Sequence, residues 1–175
     1  MPRIFYFAYG SNLLPQRIEA RLGRCPLVTV AEINGRQLRI NKTGLDGSAK
    51  CNAFRSGNDG HTLQGVIYRL TSPQKYLLDK YEGLGRGYHI EWEDARCRQS
   101  GKKHPVMLYV ADRQGIREDI RPFRWYRDYV LDGARYFSLS AETIRALEAH
   151  PVIDDDDNHR NHQNRQIRLS GPGKA

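Results

Sequence analysis

The sharpest constraint on this fold lies near the start of the chain. Five apolar and aromatic residues, Ile4–Ala8, run without a polar break, are cut off by Gly10-Ser11-Asn12, and are followed by Pro15. An apolar run without alternation is what a strand covered on both faces requires. The small residues after it let the backbone turn sharply. Pro15, with its fixed φ, suits the first turn of a helix, in which Ile18 and Leu22 share a face before Gly23 stops it. The chain therefore begins inside a sheet and leaves it through a tight turn into a short helix.

Further strands are predicted over Leu27–Ile33 and Gln37–Asn41 around the turn Asn34-Gly35, over Cys51–Phe54, and over Leu63–Leu70. Ser72-Pro73 opens a helix, with Ser72 as its cap, Leu77, Leu78 and Tyr81 as its apolar stripe, and Gly83 as its stop. Tyr88–Cys97 and Val106–Ala111 read as strands joined by Ser100-Gly101-Lys102. A helix over Phe123–Phe137 offers Trp125, Tyr129, Tyr136 and Phe137 to the core. A final helix is capped by Ser140 and stopped by Pro151. Strands dominate the middle with helices among them, which predicts an α+β fold with a curved or barrel-like sheet.

The 175 residues suffice for one domain with a real core. The mean hydropathy of −0.71 is low for a chain buried throughout. The deficit is assigned to 154–175, where four successive Asp precede a polar, nearly aromatic-free stretch; a catalytic domain over 1–153 and a flexible polar tail are expected. His159 and His162 beside the Asp run offer a metal site there, but no metal is expected, because polar tails commonly carry such residues. The tail is neutral, so the net charge of +8 belongs to 1–153, with 24 basic and 16 acidic residues. The charge is spread and matches no nucleic-acid-binding motif, so a small anionic substrate is expected and no nucleic-acid partner. No apolar run nears the ~20 residues of a membrane span, so no membrane partner is expected either. Cys25, Cys51 and Cys97 are few, odd in number and scattered, which argues against a disulfide framework and for a reducing compartment; with no export or membrane signal seen, a cytoplasmic setting is the expectation.

Two places could carry chemistry. The turn Tyr9-Gly10-Ser11-Asn12 leaves amide N–H groups free to bind an anion or oxyanion, though an ordinary helix-capping turn would read the same. Glu82 stands at the end of a predicted helix, where the macrodipole disfavours its charge. That field, with partial burial, would suit it as a general base, though a solvated glutamate has the same spacing. Asp79 shares its face, or pairs with Lys75 or Lys80. Tyr88, Tyr109 and Tyr126 could orient a polar ligand or simply pack. Gly83-Leu84-Gly85-Arg86-Gly87 follows a helix rather than a strand, so a dinucleotide reading fails.

Taken in order, these pieces resemble the γ-glutamylcyclotransferase family from about Ile4 to Pro151. Phe7-Ala8-Tyr9-Gly10-Ser11-Asn12-Leu13 matches its FAYGSNL string, Gly65-Val66-Ile67-Tyr68 its central strand, and Leu78-Asp79-Lys80-Tyr81-Glu82-Gly83 its LDxxEG segment. Gly87-Tyr88 and Tyr126, ahead of Gly133-Ala134, fall where the family has similar residues. Phe137-Ser138-Leu139-Ser140 stands where it often has Gly-Leu-Pro. The resemblance implies a small mixed β-barrel with surrounding helices, which acts without metal or cofactor and often as a homodimer. It implies release of 5-oxoproline from a γ-glutamyl compound, with Glu82 as the catalytic acid/base. Phe7, Ala8, Tyr9, Gly10, Ser11, Asn12, Tyr88 and Tyr126 would bind the γ-glutamyl head. The leaving group is an amino acid or, alternatively, an amine. A non-catalytic binding module of the same fold is the other reading.

Overall fold

The computed structural model describes residues 3–170. The buried opening run is strand β1 (Ile4–Ala8), followed by a single 3-10 turn, Ser11–Leu13, and helix α1 (Pro15–Leu22). Strands β2 (Leu27–Asn34), β3 (Arg36–Thr43), β4 (Ala49–Arg55) and β5 (Thr62–Leu70) come next. Helix α2 (Ser72–Glu82), strands β6 (Tyr88–Cys97) and β7 (Lys103–Ala111), and helices α3 (Arg124–Tyr136), α4 (Ala141–Ala149) and α5 (Asn158–Leu169) complete the order.

Five strands close a barrel in the order β1-β5-β2-β6-β7, and β3 and β4 form a separate antiparallel ribbon. The barrel is mixed: its pairings are antiparallel except where β1 meets β7 in parallel at Tyr6 and Met107. Closure leaves no free edge. It also explains why β1 lacks alternation, since Phe7 and Ala8 are both fully buried. The α+β barrel with surrounding helices is thus the observed architecture.

The turn Asn34-Gly35 does not close a hairpin. Both edges of β2 are taken, by β5 and β6, so β3 leaves the barrel and pairs with β4 instead. Ribbon and barrel are tied by fully buried Arg36 of β3. It donates to Ala53 O at 2.7 Å and to Glu93 Oε1 at 2.7 Å, and it pairs with Glu91.

Helix α2 is capped by Thr71 rather than Ser72. Thr71 Oγ1 accepts from Gln74 N at 3.3 Å and Gln74 Oε1 accepts from Thr71 N at 3.0 Å, a reciprocal capping box that places Pro73 inside the first turn. Of its expected stripe only Leu78 is buried; Leu77 and Tyr81 are exposed. The Tyr81 ring serves instead as a platform 5.1 Å from the Arg21 guanidinium. Gly83 ends the helix with φ 66° and ψ 47°, the left-handed conformation that costs glycine least. In α3, Trp125 and Tyr129 are buried as expected, whereas Tyr136 is exposed and Phe137 half-buried.

The expected flexible tail is corrected over most of its length. Asp154–Ser170 is ordered, and α5 docks on α1 and α3. Asp155, first buried residue of the acidic run, accepts from Trp125 Nε1 at 2.7 Å and from Arg160 Nε at 2.7 Å. Tyr129 OH donates to Asn164 O at 2.8 Å, and Arg168 reaches Asp128 and Asp132 at 2.8 Å each. A polar composition suggests disorder because it cannot bury apolar area. Here directed hydrogen bonds and ion pairs to α3 do that work. Residues 171–175 lie outside the described part.

Candidate active site

The 3-10 turn after β1 sits where α3 crosses it. Gly133 makes the crossing close: a Cβ there would stand 2.5 Å from Leu13 Cβ and 2.7 Å from Leu14 N. The turn is thereby wedged between the barrel and α3, and Ser11 and Asn12 are buried. Neither the Ser11 nor the Asn12 N–H has an acceptor among the described residues. These are orphan donors of the kind a turn start supplies.

Asn12 connects the turn to Glu82. Its Nδ2 donates to Glu82 Oε1 at 2.9 Å and to Tyr6 OH at 3.1 Å, while its Oδ1 accepts from Arg21 Nη1 at 3.0 Å. Arg21 Nη1 also lies 3.0 Å from Glu82 Oε1. One carboxylate oxygen thus holds two donors from two elements, and Oε2 has no partner among the described residues. Asp79, one turn earlier, is engaged elsewhere. Lys75 pairs with it at 2.8 Å and Tyr109 OH donates to it at 2.6 Å. Burial pushes the Tyr109 hydroxyl well up, and its bond to Asp79 adds to this.

Glu82 borders a cavity of about 760 Å³. Ser11, Tyr88 and Tyr126 share its wall, so four of the nine expected site residues meet in one space. The others stand behind them. Phe7 and Ala8 are core residues, and Asn12 reaches the cavity only through Glu82. Gly10 packs on Cys51, and a Cβ there would lie 3.0 Å from Cys51 Cβ and 3.7 Å from Tyr126 OH. Tyr9 OH donates to Tyr109 O.

The tyrosine hydroxyls on the wall are partly committed. Tyr88 OH donates to Cys51 O at 2.5 Å, while Tyr126 OH accepts from Cys51 N at 2.9 Å and keeps its own proton to give. Burial raises both hydroxyls well above their ordinary range, so both stay protonated donors.

Six cations line the same cavity: Arg17, Arg21, Lys42, Lys50, Lys80 and Arg86, against three carboxylates, Asp46, Asp79 and Glu82. Burial lowers Arg17 to about 10, still charged at neutral pH. The excess of cations gives the cavity wall a positive balance, a field that favours negative charge. No group of three or more His, Cys, Asp or Glu able to hold a metal occurs among the described residues, and the three cysteines are free and buried.

Residues 6–128 match the model of the family described as "Gamma-glutamyl cyclotransferase, AIG2-like". The chain belongs to this family. Curated relatives named gamma-glutamylcyclotransferase from Bos taurus and from Homo sapiens are each 28% identical over 151 residues, covering 82% of this chain and 77% of theirs. A solved structure of a gamma-glutamyl cyclotransferase superposes with a TM-score of 0.80 at 22% identity, over 94% of this chain and 99% of that one, a likeness of fold. The chain is an enzyme of the gamma-glutamyl cyclotransferase family.

In this chain of the gamma-glutamyl cyclotransferase family, the sequence reading names the turn and Glu82 as candidates but not the cations that the structure sets around the same cavity. Arg17 and Arg21 come from α1, Lys42 and Lys50 from the ribbon, Lys80 from α2, and Arg86 from the loop after it. Nothing in their local spacing marks them; only the i, i+4 step from Arg17 to Arg21 places two of them on one helix face. No described helix is long and apolar enough to cross a membrane.

Proposed function

We propose that the chain cleaves γ-glutamyl amino acids by cyclisation, releasing 5-oxoproline and the free amino acid. The substrate's α-amine attacks its own γ-carbonyl carbon, forming the ring C–N bond. The amide C–N bond to the leaving amino acid then breaks. Glu82 takes a proton from the attacking amine and returns one to the departing nitrogen. Because Oε1 is tied to Asn12 and Arg21, Oε2 is the oxygen available for that transfer. The free N–H of Ser11, the turn residue on the cavity wall, supplies a donor for the oxyanion, at roughly 3–4 kcal/mol per donor in comparable sites. The enclosing walls keep the head folded on itself, which lowers the entropic part of the barrier.

The observation that carries this reading is Glu82, fixed by two donors at a cavity whose other wall is the β1–α1 turn. The six cations favour a γ-glutamyl amino acid over a γ-glutamyl amine on a lysine side chain. The amino acid substrate is a net anion, whereas the lysine adduct has equal numbers of both charges.

The test is 5-oxoproline release from γ-glutamyl-alanine by wild type and Glu82→Gln. Glutamine keeps the shape and a carbonyl to accept from Asn12 and Arg21, so the fold persists. Turnover should fall roughly 10²- to 10⁴-fold. A variant within a few-fold of wild type overturns the assignment of Glu82. No release by wild type from γ-glutamyl-alanine or a panel of other γ-glutamyl amino acids overturns the reaction.

A further inference from the structure

Lys42 and Lys50 are direct cross-strand partners in the β3–β4 ribbon, and both line the Glu82 cavity. Like charges in that relation repel, and burial adds to the cost of each. Lys50 is answered from within the protein. Its Nζ lies 2.8 Å from Asp46 Oδ2 and 2.6 Å from Ser48 Oγ, and 4.7 Å from the centre of the Tyr126 ring.

Lys42 has no such answer. The residue is 6% exposed, and no described carboxylate comes within 4 Å of its ammonium, which rests 4.6 Å from the centre of the Tyr88 ring. Its position is built rather than incidental. A register shift between Ile40 and Lys42 redirects the strand there. The side chain occupies space that only a glycine neighbour leaves, since a Cβ on Gly87 would stand 2.9 Å from its Cε and 3.1 Å from its Nζ. Burial pulls its pKa down, and Glu82, Asp112 and Asp46 offset this only in part. A bound anion would supply the missing charge.

Resting on the proposed reaction, we infer that Lys42 binds the α-carboxylate of the leaving amino acid and so selects γ-glutamyl compounds whose leaving group carries a free carboxylate. The two carboxylates of the substrate are distinguished by where they must sit. The head's own carboxylate shares a carbon with the attacking amine, so it stays beside Glu82 and the β1–α1 turn. The leaving group lies beyond the scissile amide. Lys42 stands on the ribbon and lines the same cavity as Glu82, with no ion pair between the two within 4 Å. The gap between them is the place for the amide, and the ammonium beyond it meets the leaving group.

The experiment compares kcat/KM for γ-glutamyl-alanine and γ-glutamyl-alanine amide, with wild type and Lys42→Met. Methionine keeps the length and the contact with Tyr88 but not the charge. Wild type should prefer the free acid by roughly 10- to 100-fold, the worth of one charge-assisted contact. Lys42→Met should lose that factor on the acid while turning over the amide within about threefold of wild type. Amide turnover also reports that the variant is folded. An acid-to-amide ratio unchanged by the substitution overturns the assignment, as does an equal loss on both substrates, which would put Lys42 on the head. Wild-type turnover of the acid stands or falls separately, so failure of the reaction itself is distinguishable from failure of Lys42.

Discussion

At the scale of single residues, Asn12 is the joint on which the site turns. It is 3% exposed and every polar atom of its side chain is used: Nδ2 by Tyr6 and Glu82, Oδ1 by Arg21. Removing it leaves the Tyr6 hydroxyl buried without that partner and lets Glu82 swing on Arg21 alone. Asn12→Ala should therefore cost about 1–3 kcal/mol of stability, the penalty for orphaned buried polar groups. On the proposed mechanism it should also lower turnover at least about tenfold, because a carboxylate displaced by an ångström loses its alignment. Urea unfolding and 5-oxoproline release measure the two effects. A variant as stable and as active as wild type would show that Arg21 alone positions the carboxylate.

At the scale of elements, the site is where β1, α1, α2, the ribbon and α3 converge, and that convergence decides what the sequence discloses. The turn Gly10-Ser11-Asn12 and Glu82-Gly83 are legible because each is local: a strand stopped by small residues, a helix stopped by a glycine in the left-handed conformation. Lys42 and Lys50 are not, because their role comes from a cross-strand partnership and from a ribbon whose separation from the barrel no local pattern announces. Tyr81 misleads for the opposite reason. Its helical spacing suits the core, but its ring lies outside against Arg21.

Helix α5 hides in the same way. Its composition is that of a tail, yet buried Asn164 accepts from Tyr129 OH at 3.1 Å and from Arg17 Nη1 at 3.2 Å, so α5 braces a cation of the cavity. Asn164→Ala should destabilise the protein by about 1–3 kcal/mol and loosen Arg17, raising KM more than it lowers kcat. A thermal melt and steady-state kinetics test this. An unchanged melt would mean that the Asn164 side chain contributes nothing to the fold.

At the scale of the whole molecule, the balance of charge sets how the protein meets acid. The chain carries 28 basic and 20 acidic residues, so protonating carboxylates only adds to an existing positive excess. Asp155 is the carboxylate held lowest. Its bonds from Arg160, and those from Trp125 and the Asp157 N–H, bring it from an ordinary 3.8 to about 2. A folded-state value below the unfolded one stabilises the fold fully above about pH 5, and the gain is lost as pH falls towards about 2. The shift corresponds to on the order of 2 kcal/mol, with about half of it gone by pH 3. Asp155→Asn keeps the shape and removes the titration. Urea midpoints at pH 6, 4 and 3 should show the variant's deficit narrowing by about 1 kcal/mol as the wild type loses its advantage. A deficit constant across that range would mean that Asp155 acts through shape alone, and that the acidic run secures α5 without charge.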